Sequence, residues 1–185
     1  MPKKPQLLQA TVVAQTHVFK VEQLDLRFSN GVEVQYERLI GSRDGAVLMI
    51  PMMDEQTVLL VREYAAGVAD YQLMLPKGRI ERDEPPLDAA NREMMEEIGY
   101  GAHKLTHLTT LTQAPSYQTH TTHIILAEQL YPQKEQGDEP EPLEVVPWRL
   151  DNLPALFASG EFNEARSVAA IYMARERMLA AQGVL

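Results

Sequence analysis

The 185-residue sequence predicts an α/β fold in which helices cover a mixed β-sheet and a small β element stands at the N-terminus. Three observations support this. Strand-like apolar runs and alternations dominate the first half, helical periodicity is confined to about residues 86–98 and the C-terminal end, and segments rich in Gly, Pro and acids separate them. Apolar residues make up 45% of the chain and charged residues 23%, the balance of an ordinary folded domain.

From Val18 to Ile40 the chain reads as a hairpin. Leu24, Leu26 and Phe28 alternate with polar residues, Asn30-Gly31 gives the turn, and Val32, Val34 and Tyr36 resume the alternation. Gly41 to Gly45 breaks the pattern. Two buried-looking strands follow, Ala46–Met53 and Thr57–Tyr64, joined by the tight turn Asp54-Glu55-Gln56. Tyr71–Leu75 is a short strand stopped by Pro76-Lys77-Gly78. After the first helix come strands near Leu105–Leu111 and His123–Leu130, with polar Gln113–Thr122 between them. Pro132–Pro142 is an exposed acidic loop, Leu143–Leu150 a last strand, and Asn163–Gln182 an amphipathic helix with Val168, Ile171, Tyr172 and Leu179 near one face. Residues 1–45 are expected to form an N-terminal β-hairpin element that packs on the rest or on a second copy. Residues 46–185 form the main domain, the C-terminal helix included.

The bulk properties exclude several classes. With no cysteine there is neither a disulfide framework nor a thiolate metal site. No run approaches the eighteen or so apolar residues of a membrane span, and the N-terminus lacks the apolar core of a signal peptide. A formal net charge of −9 at pH 7 argues against nucleic acid as a partner. The expectation is a soluble, cytoplasmic protein with no membrane or nucleic-acid partner.

The first helix poses an electrostatic problem. Pro86 suits a first helical turn and Gly99 is the usual stop. At 100° per residue Glu93, Glu96 and Glu97 fall within an arc of roughly 100°, while Leu87, Met94 and Ile98 share a neighbouring flank. Like charges so spaced destabilise a helix by roughly 0.2–0.5 kcal/mol per pair, and Arg92 offsets only part of this. A divalent cation reverses the sign, because hard ions take carboxylate oxygens and share coordination with substrate phosphates.

Gly78, Glu84, Arg92, Glu93, Glu96, Glu97 and Gly99 match every fixed position of the pattern G-x5-E-x7-R-E-U-x-E-E-x-G-U, with Met94 and Tyr100 at the hydrophobic U positions. This resembles the signature box of the Nudix hydrolases, which act on nucleoside diphosphates linked to another moiety. Two departures stand out: Met94 and Tyr100 are bulkier than the usual Ile, Leu or Val, and Asp83 replaces a common glycine. The resemblance implies an α/β/α sandwich with a mixed sheet. It also implies a site holding two or three Mg²⁺ or Mn²⁺ ions, with Glu93, Glu97, Glu96 and the carbonyl of Lys77 as ligands. By the same comparison Arg92 orients the glutamates, Glu84 supports the ligands or reaches a metal, and Gly78, Glu84 and Gly99 shape the box.

Outside the box, Gly137-Asp138-Glu139-Pro140-Glu141 resembles the acidic loop of the ADP-ribose pyrophosphatase branch. That likeness makes Glu139 the candidate general base, with Glu96 the alternative, and Glu141 an extra ligand. Pro115 stands where that branch carries proline and Tyr117 where dinucleoside polyphosphate hydrolases carry tyrosine. Val61-Arg62-Glu63-Tyr64, Ala114-Pro115-Ser116-Tyr117 and Phe162-Asn163-Glu164-Ala165-Arg166 are similar to bacterial members that hydrolyse ADP compounds. The implied activity is cleavage of the pyrophosphate in ADP-ribose, NADH or diadenosine di- or triphosphate. Arg62, Tyr64, Pro115 and Tyr117 are the candidate substrate contacts and a homodimer the expected assembly. A GDP-mannose type hydrolase and a non-catalytic sensor are the alternatives. His120 and His123 lack the converging partners of a zinc site, the methionines fill core, and Trp148 packs.

Overall fold

The computed structural model describes residues 2–183. Two compact units emerge, one comprising the residues up to Gly45 with Thr112–Thr121, the other Ala46–Leu111 with Thr122 onward. This differs from a 1–45 and 46–185 division in assigning the polar connection Thr112–Thr121 to the N-terminal unit.

The N-terminal unit is built on an antiparallel sheet, β1 (Gln6–Gln15), β2 (Lys20–Arg27) and β3 (Glu33–Leu39), in that order. The expected hairpin is β2–β3, with Leu24 opposite Tyr36 and Leu26 opposite Val34. Strand β1 was not expected. Every residue of it is exposed, so its side chains carry no burial contrast to read. It pairs with β2 through register shifts between Leu7 and Gln9 and between Val12 and Ala14, the mark of β-bulges.

The larger unit contains β4 (Ala46–Pro51), β5 (Thr57–Ala65), β6 (Asp70–Met74), β7 (Lys77–Arg79), α1 (Pro86–Glu97), β8 (Tyr100–Thr112), β9 (Thr121–Pro132) and β10 (Glu144–Arg149). A 3-10 turn (Leu150–Asn152), α2 (Leu153–Ala158) and α3 (Ala165–Ala181) complete it. Although only a tight turn separates β4 from β5, they lie in different sheets. β4 is sandwiched between β7, antiparallel, and β9, parallel, whereas β5 lies between β10 and β6. A single bridge, Met52 with Val58, marks the crossing.

Continuous apolar runs make this possible, since successive strand residues face opposite sides. Leu48, Ile50, Val58 and Leu60 pack with Leu156, Ala170 and Ile171 of α2 and α3. Their neighbours Val47, Met49, Leu59 and Val61 pack with Ala89, Ala90 and Met94 of α1. The mixed sheet layer between helices is the predicted α/β architecture. Two helix faces differ from expectation: Leu87 is exposed beside buried Ala89 and Ala90, and on α3 the buried stripe is Ser167, Ala170, Ile171 and Ala174 while Tyr172 faces outward. Small residues let α3 approach the sheet closely. Among the described residues no helix is long and apolar enough to cross a membrane.

Candidate active site

Two glutamates on the last turns of α1 point toward a strand. Lys77 N–H on β7 donates to Glu97 Oε2 at 3.0 Å, and Glu97 is only 6% exposed. Burial pushes its carboxyl up from the ordinary 4.5 to about 8, against the pull of the Lys77 ammonium and with the charges of Glu63 and Glu93 adding to the rise. Glu93, one turn earlier, occupies the space that Gly78 leaves empty: a β-carbon on residue 78 would fall on the Glu93 carboxylate. Burial raises the Glu93 carboxyl as well, opposed by Arg92 and assisted by Glu96 and Glu139.

Arg92 is the hub. Its Nε and one terminal nitrogen grip both oxygens of Glu84 at 2.9 and 3.0 Å, the other terminal nitrogen reaches Glu93 at 2.8 Å and Glu96 at 3.1 Å, and the carbonyl of Arg79 accepts a further bond at 3.1 Å. Such a planar fork fixes carboxylates in direction as well as place. Glu84 also accepts from Glu81 N–H at 2.9 Å, and the Arg92 guanidinium holds its carboxyl below the usual range. Asp83 adopts φ +62°, the left-handed conformation that a glycine takes freely and that Asp tolerates better than most residues. The substitution therefore keeps the turn that delivers Glu84.

Gly99, at φ +75°, ends α1. The acidic loop then lies along this helix end. Gln133 N–H donates to Gly99 O at 3.0 Å, Glu135 N–H to Met95 O at 3.1 Å, and Lys134 Nζ to Glu96 O, taking up carbonyls that a helix terminus leaves unpaired. Gly137 comes beside Glu96, where a β-carbon on it would stand 3.6 Å from Glu96 Cβ, and the charge of Glu139 is felt at Glu93. The structure thus gathers Glu84, Arg92, Glu93, Glu96, Glu97, Glu139 and Lys77 in one place.

Other expected site residues have partners of their own. Arg62 belongs to the even-numbered face of β5, turned from α1, and is bound to Glu144 at 2.8 Å and Glu161 at 2.5 Å. Tyr64 packs edge-on against Tyr71, ring centres 5.6 Å apart, and Tyr71 Oη–H donates to Glu141 at 2.5 Å. Pro115 and Tyr117 belong to the N-terminal unit, where Tyr117 O accepts from Leu39 N–H at 2.7 Å. His123 faces His107, with Nδ1 to Nε2 at 3.2 Å.

One residue was missed. Glu63, ion-paired with Lys77 Nζ, contributes to the field at Glu97. The available signal was strand period two: Leu59 and Val61 face α1, so Glu63 does too.

The donor set fits a hard divalent cation. It is entirely oxygen, carries excess negative charge, and includes Glu97, which is more than nine-tenths buried and forms no ion pair among the described residues. No three His, Cys, Asp or Glu side chains among the described residues already stand about one point, and Glu84, Glu93 and Glu96 are ion-paired with Arg92. Glycine at 78 provides the opening through which Glu93 reaches the strand.

Residues 42–172 match the NUDIX domain family and residues 5–38 the NudE-type Nudix hydrolase N-terminal domain. The chain belongs to the Nudix family. Its relatives include the ADP compounds hydrolase NudE of Escherichia coli (strain K12), 44% identical over 174 residues, which are 94% of this chain and 93% of that protein. The ADP-ribose pyrophosphatase of Bacillus subtilis (strain 168) is 30% identical over 182 residues, 95% of this chain and 98% of that one. A crystal structure of an ADP compounds hydrolase superposes with a TM-score of 0.92 at 43% identity, covering 100% of this chain and 99% of the other. The chain is therefore a Nudix pyrophosphohydrolase, with the α/β architecture of that family, and Nudix hydrolases work with divalent metal.

Proposed function

We propose that this Nudix hydrolase cleaves the pyrophosphate linkage of ADP-linked small molecules, ADP-ribose, NADH or diadenosine di- or triphosphate, releasing AMP or ADP and a second phosphorylated product. One observation carries the reading: the acidic loop, docked on the end of α1, brings Glu139 to the carboxylates held by Arg92 and Gly78. Similarity to the NudE and ADP-ribose hydrolases supports the ADP-linked choice.

In this reading Glu93, Glu96, Glu97 and the carbonyl of Lys77 hold two or three Mg²⁺ or Mn²⁺ ions. When bound, the ions neutralise the diphosphate and acidify the attacking water. Arg92 holds Glu93 and Glu96 side by side, and their carboxylates would turn from it toward the ions. Glu139 accepts the water's proton, with Glu96 the alternative base. With ADP-ribose the products are AMP and ribose 5-phosphate. Glu141 stays an auxiliary ligand that Tyr71 would have to release, and Arg62, Tyr64, Pro115 and Tyr117 stay candidate substrate contacts, of which Arg62 is the one most committed to partners in the fold.

A homodimer belongs to the same proposal. The N-terminal sheet leaves Leu7, Leu8, Val12, Val13 and Tyr36 exposed, an apolar surface that a second copy would cover. A cytoplasmic location accords with the absence of cysteine. The test is product analysis on ADP-ribose, NADH, diadenosine triphosphate and GDP-mannose, with and without Mg²⁺. ADP-linked compounds are expected to be cleaved first and only with the metal; preference for GDP-mannose would overturn the assignment.

Glu139→Gln is expected to reduce turnover by about two orders of magnitude, the scale of a positioned general base, while Mn²⁺ affinity measured by calorimetry stays within a factor of about two. Near-normal turnover would move the base role to Glu96.

A further inference from the structure

The stretch from Glu161 to Ser167 has no place in the chemistry above, yet it borders β6 and the crossover that leads from it to β7. β6 is the edge of its sheet, so alternate N–H groups on its outer side lack a strand partner. Leu73 N–H donates to Glu161 O at 3.0 Å, and Leu75 N–H to Ser167 Oγ at 3.0 Å. The next N–H in this period-two series is that of Lys77, which binds Glu97. The entry to α3 thus completes the edge up to the last donor before the carboxylates.

Ser167 is wholly buried and its hydroxyl is held on both sides. Glu164 caps α3 by accepting from Ser167 N–H at 2.8 Å and from Ser167 Oγ–H at 2.9 Å, which leaves the Ser167 oxygen free to accept from Leu75. Arg166 pins the Glu164 carboxylate at 2.8 Å and reaches Thr122 Oγ1 on β9 at 3.1 Å. On its far side, Pro76 O accepts from Met49 N–H at 2.9 Å. The crossover Leu75-Pro76-Lys77-Gly78 is therefore clamped between α3 at Leu75 and β4 at Pro76, immediately ahead of the Lys77 amide and the Gly78 opening.

We propose that Ser167, with Glu164 and Arg166 behind it, is a positioning residue of the cation site: it sets the place of the Lys77 carbonyl and of the glycine that receives Glu93. This rests on the cation reading given above. Ser167→Ala leaves the Leu75 N–H without its acceptor, and such an unmet buried donor relaxes by moving its own backbone.

The test is Mn²⁺ titration of the full chain, followed by electron paramagnetic resonance, together with amide hydrogen exchange. Val146→Ala on β10, a partly buried site separated from β6 by β5 in the same sheet, serves as the stability control. Ser167→Ala is expected to weaken Mn²⁺ binding about tenfold or more and to speed exchange at Leu75 and Lys77, while Val146→Ala lowers Tm with affinity unchanged. Parent affinity in Ser167→Ala would overturn the positioning role and leave the cation reading standing. Absence of Mn²⁺ binding by the parent would sink both. Should Ser167→Ala not fold, Glu164→Ala removes the acceptor that orients the hydroxyl, and parent affinity in that variant would overturn the proposal equally.

Discussion

Glu97→Gln is expected to lower kcat by about two orders of magnitude or more, the worth of one preorganised electrostatic contact. The amide keeps an oxygen for the Lys77 N–H and removes the charge that a cation would meet. Stability in chelator should move oppositely. The Glu97 carboxyl sits at about 8 in the fold against an ordinary 4.5, so between those values the folded state retains a proton that the unfolded chain has lost. The metal-free protein should therefore lose stability as pH rises from about 4.5 to about 8. Thermal unfolding in chelator from pH 5 to 9 should show this decline in the parent and a flatter profile in Glu97→Gln, with the variant equal or more stable at high pH. A parent profile that rises across this window, or near-normal turnover of the variant, would remove Glu97 from its assigned role.

Gly78→Ala is expected to be at least as damaging, by a different route. The atoms that the added methyl group would meet are the carboxylate of Glu93 itself, so even the easiest accommodation displaces a group proposed to hold the ion. Either β7 moves away from α1 or Glu93 swings out, and both separate groups that must share an ion; misplacement by about 1 Å can cost a hundredfold in rate. Divalent affinity, measured calorimetrically, should fall at least about tenfold and kcat about a hundredfold. Circular dichroism should keep the parent's secondary structure. Unaltered Mn²⁺ binding by a folded Gly78→Ala would show that the opening is incidental.

What could be read from the sequence follows the range of the physics. Glu93, Glu96 and Glu97 lie on one helix, so their relative placement is fixed by local geometry, and Pro86 and Gly99 mark the ends of that helix directly. The acidic loop was legible as a motif, but its docking depends on backbone bonds from Gln133 and Glu135 to the helix end, which no side-chain pattern announces. Glu63 was passed over because a glutamate between Arg62 and Tyr64 looks like a solvated strand residue until the facing helix is known. β4 and β5 read as neighbours across a three-residue turn; the partners that separate them are β9 and β10, and such long-range pairing leaves no local trace. β7 was hidden by its length and by Pro76. The tyrosine expected on the inner face of α3 lost that place to Ala170 and Ala174, since close approach to the sheet favours small side chains.

The parallel union of β4 with β9 joins Ala46 to Thr122 and Pro51 to Ala127. A ribosome must therefore deliver the whole acidic motif, and the residues past its end as far as Ala127, before the strand beneath it gains its second neighbour. Until then one margin of β4 is open, and with it the platform for Pro76 and Gly78. A peptide cut to the signature alone would carry every glutamate and still be a poor chelator, because its stiffness is borrowed from a part of the chain translated later.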